Sequence, residues 1–167
     1  MRTLLLILFA ILLSFLESKG VINLDKANFV KDGDKIFVSR VIDGDTIELN
    51  TGEKLRYIGI DTPEVNYGKS SECFALEAKE FNKKLIEKKE IELEKDITNK
   101  DKFGRLLRYV YVENESTTSA IFVNEHLVRQ GYAIVSTYPP DIKYIEDLLS
   151  AQREARENNR GLWGKCN

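Results

Sequence analysis

Arg56 sits among Leu55, Tyr57, Ile58 and Ile60 in the run Lys54-Leu55-Arg56-Tyr57-Ile58-Gly59-Ile60, and two carboxylates, Asp61 and Glu64, follow on either side of Pro63. A guanidinium within a buried strand is costly unless it is paired or faces a wet site. Pro63 holds Thr62 extended and stiffens the turn, which defines where both acids stand. One permanent cation and two anions around a stiff turn suit the binding of a phosphate and a metal ion. The plain alternative is a salt bridge trimming the end of a strand. A further acid, Asp45, opens a strand after Asp43-Gly44, and a simple hairpin turn accounts for Asp43-Gly44 but not for Asp45. The acids and glycine are not in the order an EF-hand calcium loop requires. Arg105 stands where the turn Asn99-Lys100-Asp101-Lys102-Phe103-Gly104 enters another strand.

Elimination sharpens this reading. The chain has one histidine, His126, with no partner for a Ser-His-Asp triad and no cluster of zinc ligands. His126 falls in a helical pattern and reads as a surface or packing residue. The chemistry is left to carboxylates, arginines and a hard metal.

These side chains need a scaffold. Alternating and β-branched residues predict strands over residues 36–42, 46–49, 54–60, 90–96 and 106–112, the first three forming an antiparallel meander through tight turns. Strand parity sets Arg56 with Ile58 and Ile60 and nominally opposite Asp61, so the charges meet only if the chain turns after Ile60, at Thr62-Pro63. Helical spacing predicts helices over residues 72–88, 119–130 and 144–159, with Gly131 and Gly161 as caps and Leu162-Trp163 folding back as an apolar plug. Residues 133–135 read as a short extended piece. The predicted class is α+β: a five-stranded barrel of the OB type with three α-helices.

The 167 residues suffice for one domain with a real core, being 43% hydrophobic and 31% charged. Residues 1–20 differ in kind. Arg2 precedes the apolar run Leu4 to Leu13, too short for a membrane span, and Ser18 and Gly20 suit the −3 and −1 positions of a signal-peptidase site. The expectation is a signal peptide at 1–20, a lead-in at 21–34 and one domain at 35–167, in a secreted or periplasmic protein. An uncleaved membrane anchor is the rival. The net charge of −2 becomes one unit more negative without residues 1–20, which carry Arg2, Lys19 and Glu17. Bulk positive charge is therefore not what would hold nucleic acid. Two cysteines, Cys73 and Cys166, suggest one disulfide in an exported chain, against two buried thiols.

Four motifs in register, Val41-Ile42-Asp43-Gly44-Asp45-Thr46, Arg56…Ile60-Asp61-Thr62-Pro63-Glu64, Asp101-Lys102-Phe103-Gly104-Arg105 and Val123-Asn124-Glu125…Leu127-Val128-Arg129-Gln130-Gly131, resemble the thermonuclease (staphylococcal nuclease) family from about Lys35 to Trp163. The resemblance implies an OB-type barrel and calcium-dependent hydrolysis of DNA and RNA, leaving 3′-phosphate ends. It implies Asp45 and Asp61 as carboxylate ligands of Ca2+, with a backbone carbonyl from Thr62. Glu64 would be the base or water-positioning residue, and Arg56 and Arg105 the phosphate clamp. Denatured or single-stranded DNA would be a preferred substrate, and a monomer is expected. Phe103 stands where the family commonly has a tyrosine. Thr137 falls at the first of two base-flanking tyrosine positions, which leaves Tyr132 and Tyr138 as candidate stacking residues. The competing reading is a catalytically inactive OB-type module that binds nucleic acid or protein. It predicts gaps among Asp45, Arg56, Asp61, Glu64 and Arg105, and none is missing.

Overall fold

The structure, a computed structural model, describes residues 33, 35–66, 68, 70–114, 117 and 119–166. The expected signal peptide at 1–20 and all of the lead-in except Gly33 lie outside the described residues.

Three strands form the antiparallel meander: β1 (Lys35–Val41), β2 (Thr46–Leu49) and β3 (Lys54–Tyr57). The short β4 (Ile60–Asp61) follows, then helix α1 (Ala75–Ile86), β5 (Glu90–Glu94) and β6 (Leu106–Glu113). β1 serves two neighbours. Lys35–Phe37 pairs with β5, and a bulge between Val38 and Arg40 redirects the strand along β2. β5 pairs antiparallel with β6, and β6 runs parallel to β3, with Leu55, Arg56 and Tyr57 opposite Leu106, Leu107 and Arg108. That parallel seam closes an OB-type barrel of five strands around Val38, Ile47, Leu49, Leu55, Tyr57, Leu93 and Val110, all buried. β7 (Ala120–Phe122) adds to β6 outside the barrel, and β8 (Ile134–Val135) pairs with β4. Helices α2 (Val123–Arg129) and α3 (Ile145–Glu157) pack together, followed by one helical turn at Leu162–Lys165.

Two sequence expectations are corrected. The run 54–60 is not one strand. It breaks at Ile58-Gly59, where Gly59 takes a φ of +81°. Leu148 of α3 packs so closely that a Cβ on Gly59 would lie 2.6 Å from its Cδ1. The turn that brings Asp61 back to Arg56 therefore comes before Ile60, not at Thr62-Pro63. The helix expected over 119–130 also starts late. Ala120, Ile121 and Phe122 pair with Glu113, Val112 and Tyr111 at the sheet edge, where a β-branched and an aromatic residue fit the pleat.

Buried asparagines tie the elements together. Asn124 of α2 donates to Ile58 O (2.8 Å) and accepts from Val110 N (3.0 Å), pinning the end of β3 to β6. Asn82 of α1 accepts from the Tyr57 hydroxyl at 3.1 Å and donates to Asp43 O at 3.5 Å. The Cys73 and Cys166 sulfurs are bonded, closing a sequence separation of 93 residues. Trp163, half-buried, lies under the Arg156 guanidinium at 4.3 Å.

Candidate active site

Asp45 emerges from the β1–β2 turn, in which Ile42 and Asp43 donate to Thr46 O, and Asp45's own carbonyl accepts from Tyr57 N at 3.0 Å. Its side chain is 1% exposed. Oδ1 accepts from Arg56 Nη1 (2.7 Å) and Thr46 Oγ1 (3.1 Å), and Oδ2 from Thr62 N (3.0 Å). Burial pushes this carboxyl up to about 7. Arg56 and the Thr62 amide pull it down, and the neighbouring Asp43 works with burial.

Arg56 reaches the other way with Nη2, donating to Asp61 Oδ1 at 2.5 Å. Burial alone would lower the guanidinium's pKa, but Asp45 and then Asp61 outweigh it and raise it. Asp61 is 44% exposed and opens on the cleft, as does Glu64. Loss of hydration raises the Glu64 carboxyl most, and Asp43, Asp61 and Glu72 add to the rise against the opposing pull of Arg56.

Across the seam, Arg105 precedes by two residues Leu107, the partner of Arg56, so the alternation of the pleat sends both guanidiniums to one side. Asp101 takes Arg105 Nε on Oδ2 (2.7 Å), while its Oδ1 accepts the amides of Phe103 (2.9 Å) and Arg105 (3.0 Å). Against the upward push of burial, these three bonds lower the Asp101 carboxyl from its ordinary value. The guanidinium's remaining edge is presented to a cleft of about 720 Å³ that Arg56, Asp61, Glu64, Phe103, Arg105 and Tyr138 line. Phe103 and Tyr138, 72% and 76% exposed, form its apolar lips, with the Arg105 guanidinium 5.5 Å from the Phe103 ring.

Arg56, Asp61, Glu64, Arg105, Phe103 and Tyr138 thus meet in one cleft, with Asp45 and Thr62 buried directly behind. Tyr132 does not join them. Its ring stacks on Phe81 at 4.0 Å and Phe74 at 5.2 Å, so α1 occupies the face that a nucleobase would need. His126 ends the same stack, 5.7 Å from Phe81.

Sequence reasoning missed several residues that shape the site. Asp101 orients Arg105, Lys102 lines the cleft, and Gly44 lies against the Thr62 side chain. Asp101 carries a local signal, an acid four residues before an arginine around a glycine turn. The Gly44 contact carries none.

Among the described residues no cluster of three or more His, Cys, Asp or Glu side chains is spaced to hold a metal. The acids here are instead shared out around Arg56.

The fold and cleft together define an OB-type barrel with acids and arginines gathered along its closing seam. The family model described as staphylococcal nuclease homologue matches residues 54–165. The chain is 37% identical over 130 residues to a thermonuclease of Staphylococcus hyicus, covering 75% of this chain and 73% of that one. It is 36% identical over 135 residues to a thermonuclease of Staphylococcus intermedius, covering 78% and 77%. Endonuclease YncB of Bacillus subtilis (strain 168) is 36% identical over 138 residues, covering 78% of this chain and 62% of its own. The chain belongs to the staphylococcal nuclease family.

Proposed function

We propose that this protein is a calcium-dependent, sugar-nonspecific nuclease that hydrolyses DNA and RNA and leaves 3′-phosphate ends. The observation that carries this reading is Arg56 bridging Asp45 and Asp61 at the back of a cleft whose front holds Glu64 and Arg105. Family membership supports the nuclease, and the donor chemistry supports the metal.

Asp43 repels both Asp45 and Glu64, Asp61 also repels Glu64, and Arg56 opposes that repulsion at both. Two carboxylates and the Thr62 peptide oxygen are hard donors that tolerate loose geometry, so the residues fit calcium completed by water. Asp45, Asp61 and the Thr62 carbonyl would hold it. When bound, the ion neutralises phosphate charge and makes a nearby water more acidic.

The protein's own groups do the rest. A phosphodiester repels nucleophiles, and charge grows on its equatorial oxygens as water attacks. Arg56 and Arg105, permanently charged and planar, hold those oxygens through paired hydrogen bonds that strengthen in the transition state. Glu64 accepts the attacking water's proton or aims that water at phosphorus. The P–O5′ bond breaks as the water oxygen bonds to phosphorus, and the departing 5′ oxygen takes up a proton from solvent water, so that one water is added across the bond. Phe103 and Tyr138 offer flat faces to unpaired bases, which favours denatured DNA and RNA over duplex. Residues 1–20 support export by a signal peptide, and the domain is proposed to act as a monomer.

The test is a fluorescence assay on heat-denatured DNA with protein lacking residues 1–20, in calcium, in magnesium and in chelator. Degradation in calcium, with 3′-phosphate termini, is expected. A thermal melt supplies a second readout, since calcium at 100 times its Kd adds about 2.7 kcal/mol. Folded protein that cleaves nothing in any condition would favour the inactive binding module.

A further inference from the structure

Glu64 leaves Pro63 at the start of a loop that returns at Glu72, and two opposed hydrogen bonds close that return. Glu64 N donates to Glu72 Oε2 at 2.9 Å, and Glu72 N donates to Glu64 O at 3.1 Å. The peptide groups on both sides of the Glu64 Cα are therefore held by one residue. Upstream, the Thr62 amide is fastened to buried Asp45 at 3.0 Å, so Glu64 lies between two anchors.

Glu72 is itself fixed from several directions. Its carbonyl accepts Ala75 N at 3.2 Å, in the turn that leads into α1. Its neighbour Cys73 is bonded to Cys166. Cys166 N donates to Leu162 O, and Leu162 N donates to Gly131 O, each at 2.9 Å, so the far end of the bridge rests on the turn after α2. A covalent and hydrogen-bonded path thus runs from the body of the protein to the backbone of Glu64.

We propose that Glu72 is a positioning residue that clasps the backbone of Glu64, and that the Cys73–Cys166 disulfide keeps the clasp in place. This rests on the reading of Glu64 as the residue that handles the attacking water. Misplacing such a group by about 1 Å costs up to about 100-fold in rate, while substrate binding through Arg56 and Arg105 is untouched. The clasp needs an acceptor at position 72, not a charge, so an amide serves in its place.

The experiment compares Glu72→Ala, Glu72→Gln and the double variant Cys73→Ser/Cys166→Ser by steady-state hydrolysis of denatured DNA in calcium, with Glu64→Ala as reference. Amide hydrogen exchange at Glu64 is followed in parallel. Glu72→Ala is expected to lower kcat about tenfold or more with KM unchanged and to speed exchange of the Glu64 amide. Glu72→Gln should restore both, and the cysteine variant should fall between. Wild-type kcat in Glu72→Ala, or an equal loss in Glu72→Gln, overturns the proposal. If Glu64→Ala keeps full activity, the catalytic reading of Glu64 fails. Exchange at the Glu64 amide then still decides the clasp, which is lost if Glu72→Ala leaves that rate unchanged.

Discussion

Gly44 packs directly against Thr62: a Cβ built on Gly44 would lie 2.6 Å from Thr62 Oγ1 and 2.7 Å from its Cβ. The β1–β2 turn and the acidic turn are thus in contact with no side chain between them, which lets Thr62 N reach Asp45 Oδ2. Gly44→Ala forces Thr62 outward. The expected outcome is a loss of about 1–3 kcal/mol in a denaturant melt, together with weaker calcium binding by calorimetry. Unchanged affinity and stability would show that the contact is slack.

The two arginines are expected to fail differently. Arg105→Ala should cut kcat by about 10²–10³-fold, with little change in Tm, because Asp101 keeps two amide donors. Arg56→Ala should cut activity comparably and also unfold more easily, since it strands Asp45 with its side chain 1% exposed. Removing one partner of a buried pair costs about 3–5 kcal/mol. The lower end is expected because Asp61 is 44% exposed. Paired melts with and without calcium check this, and equal Tm losses in the two variants would contradict it.

His126 is the chain's one histidine, so its imidazole protons give a single resolved titration by NMR. Burial lowers its pKa from 6.5, Arg129 pushes the same way and Glu125 opposes. The folded state then binds fewer protons than the unfolded state below pH 6.5. Its contribution is present above that pH and is lost as pH falls toward the folded pKa. A midpoint below 6.5 is expected, with a stability slope in that window that His126→Gln removes. A midpoint at or above 6.5 would refute the sign.

Asn124→Ala leaves Val110 N–H and Ile58 C=O without their side-chain partner in the interior. An unsatisfied buried group costs about 1–3 kcal/mol. The denaturation midpoint should fall accordingly, with the m-value unchanged. A loss below about 1 kcal/mol would mean that water replaces the amide.

The barrel and its cleft were readable because their signals are local. Apolar alternation marks β1, β2, β5 and β6, and Asp61-Thr62-Pro63-Glu64 announces a stiff acidic turn by its chemistry. What escaped depends on contacts distant in sequence. Gly59 looked like one more residue in a strand beside the louder Pro63, because Leu148, which crowds it, lies 89 positions later. Ala120 and Ile121 suit a helical stripe equally well, and only the free edge of β6 decides for strand. Asn124 resembles a surface residue of α2 until the ends of β3 and β6 are seen to converge on it. Tyr132 has the face to stack on a base, but Phe81 takes that face first. The Cys73–Cys166 pairing was arithmetically simple, whereas its bearing on Glu64 depends on the bonds of Glu72.

The parallel seam between β3 and β6 also sets an order of events during synthesis. Arg56 lies on the strand made early, and its partner Leu107 lies 51 positions later, just beyond Arg105. A chain still emerging from the ribosome at residue 100 has Asp45, Arg56, Asp61 and Glu64, but neither the closed barrel nor Arg105. Long-range closures of this kind are slow. The cleft therefore forms only once Arg105 and the strand that follows it have been made.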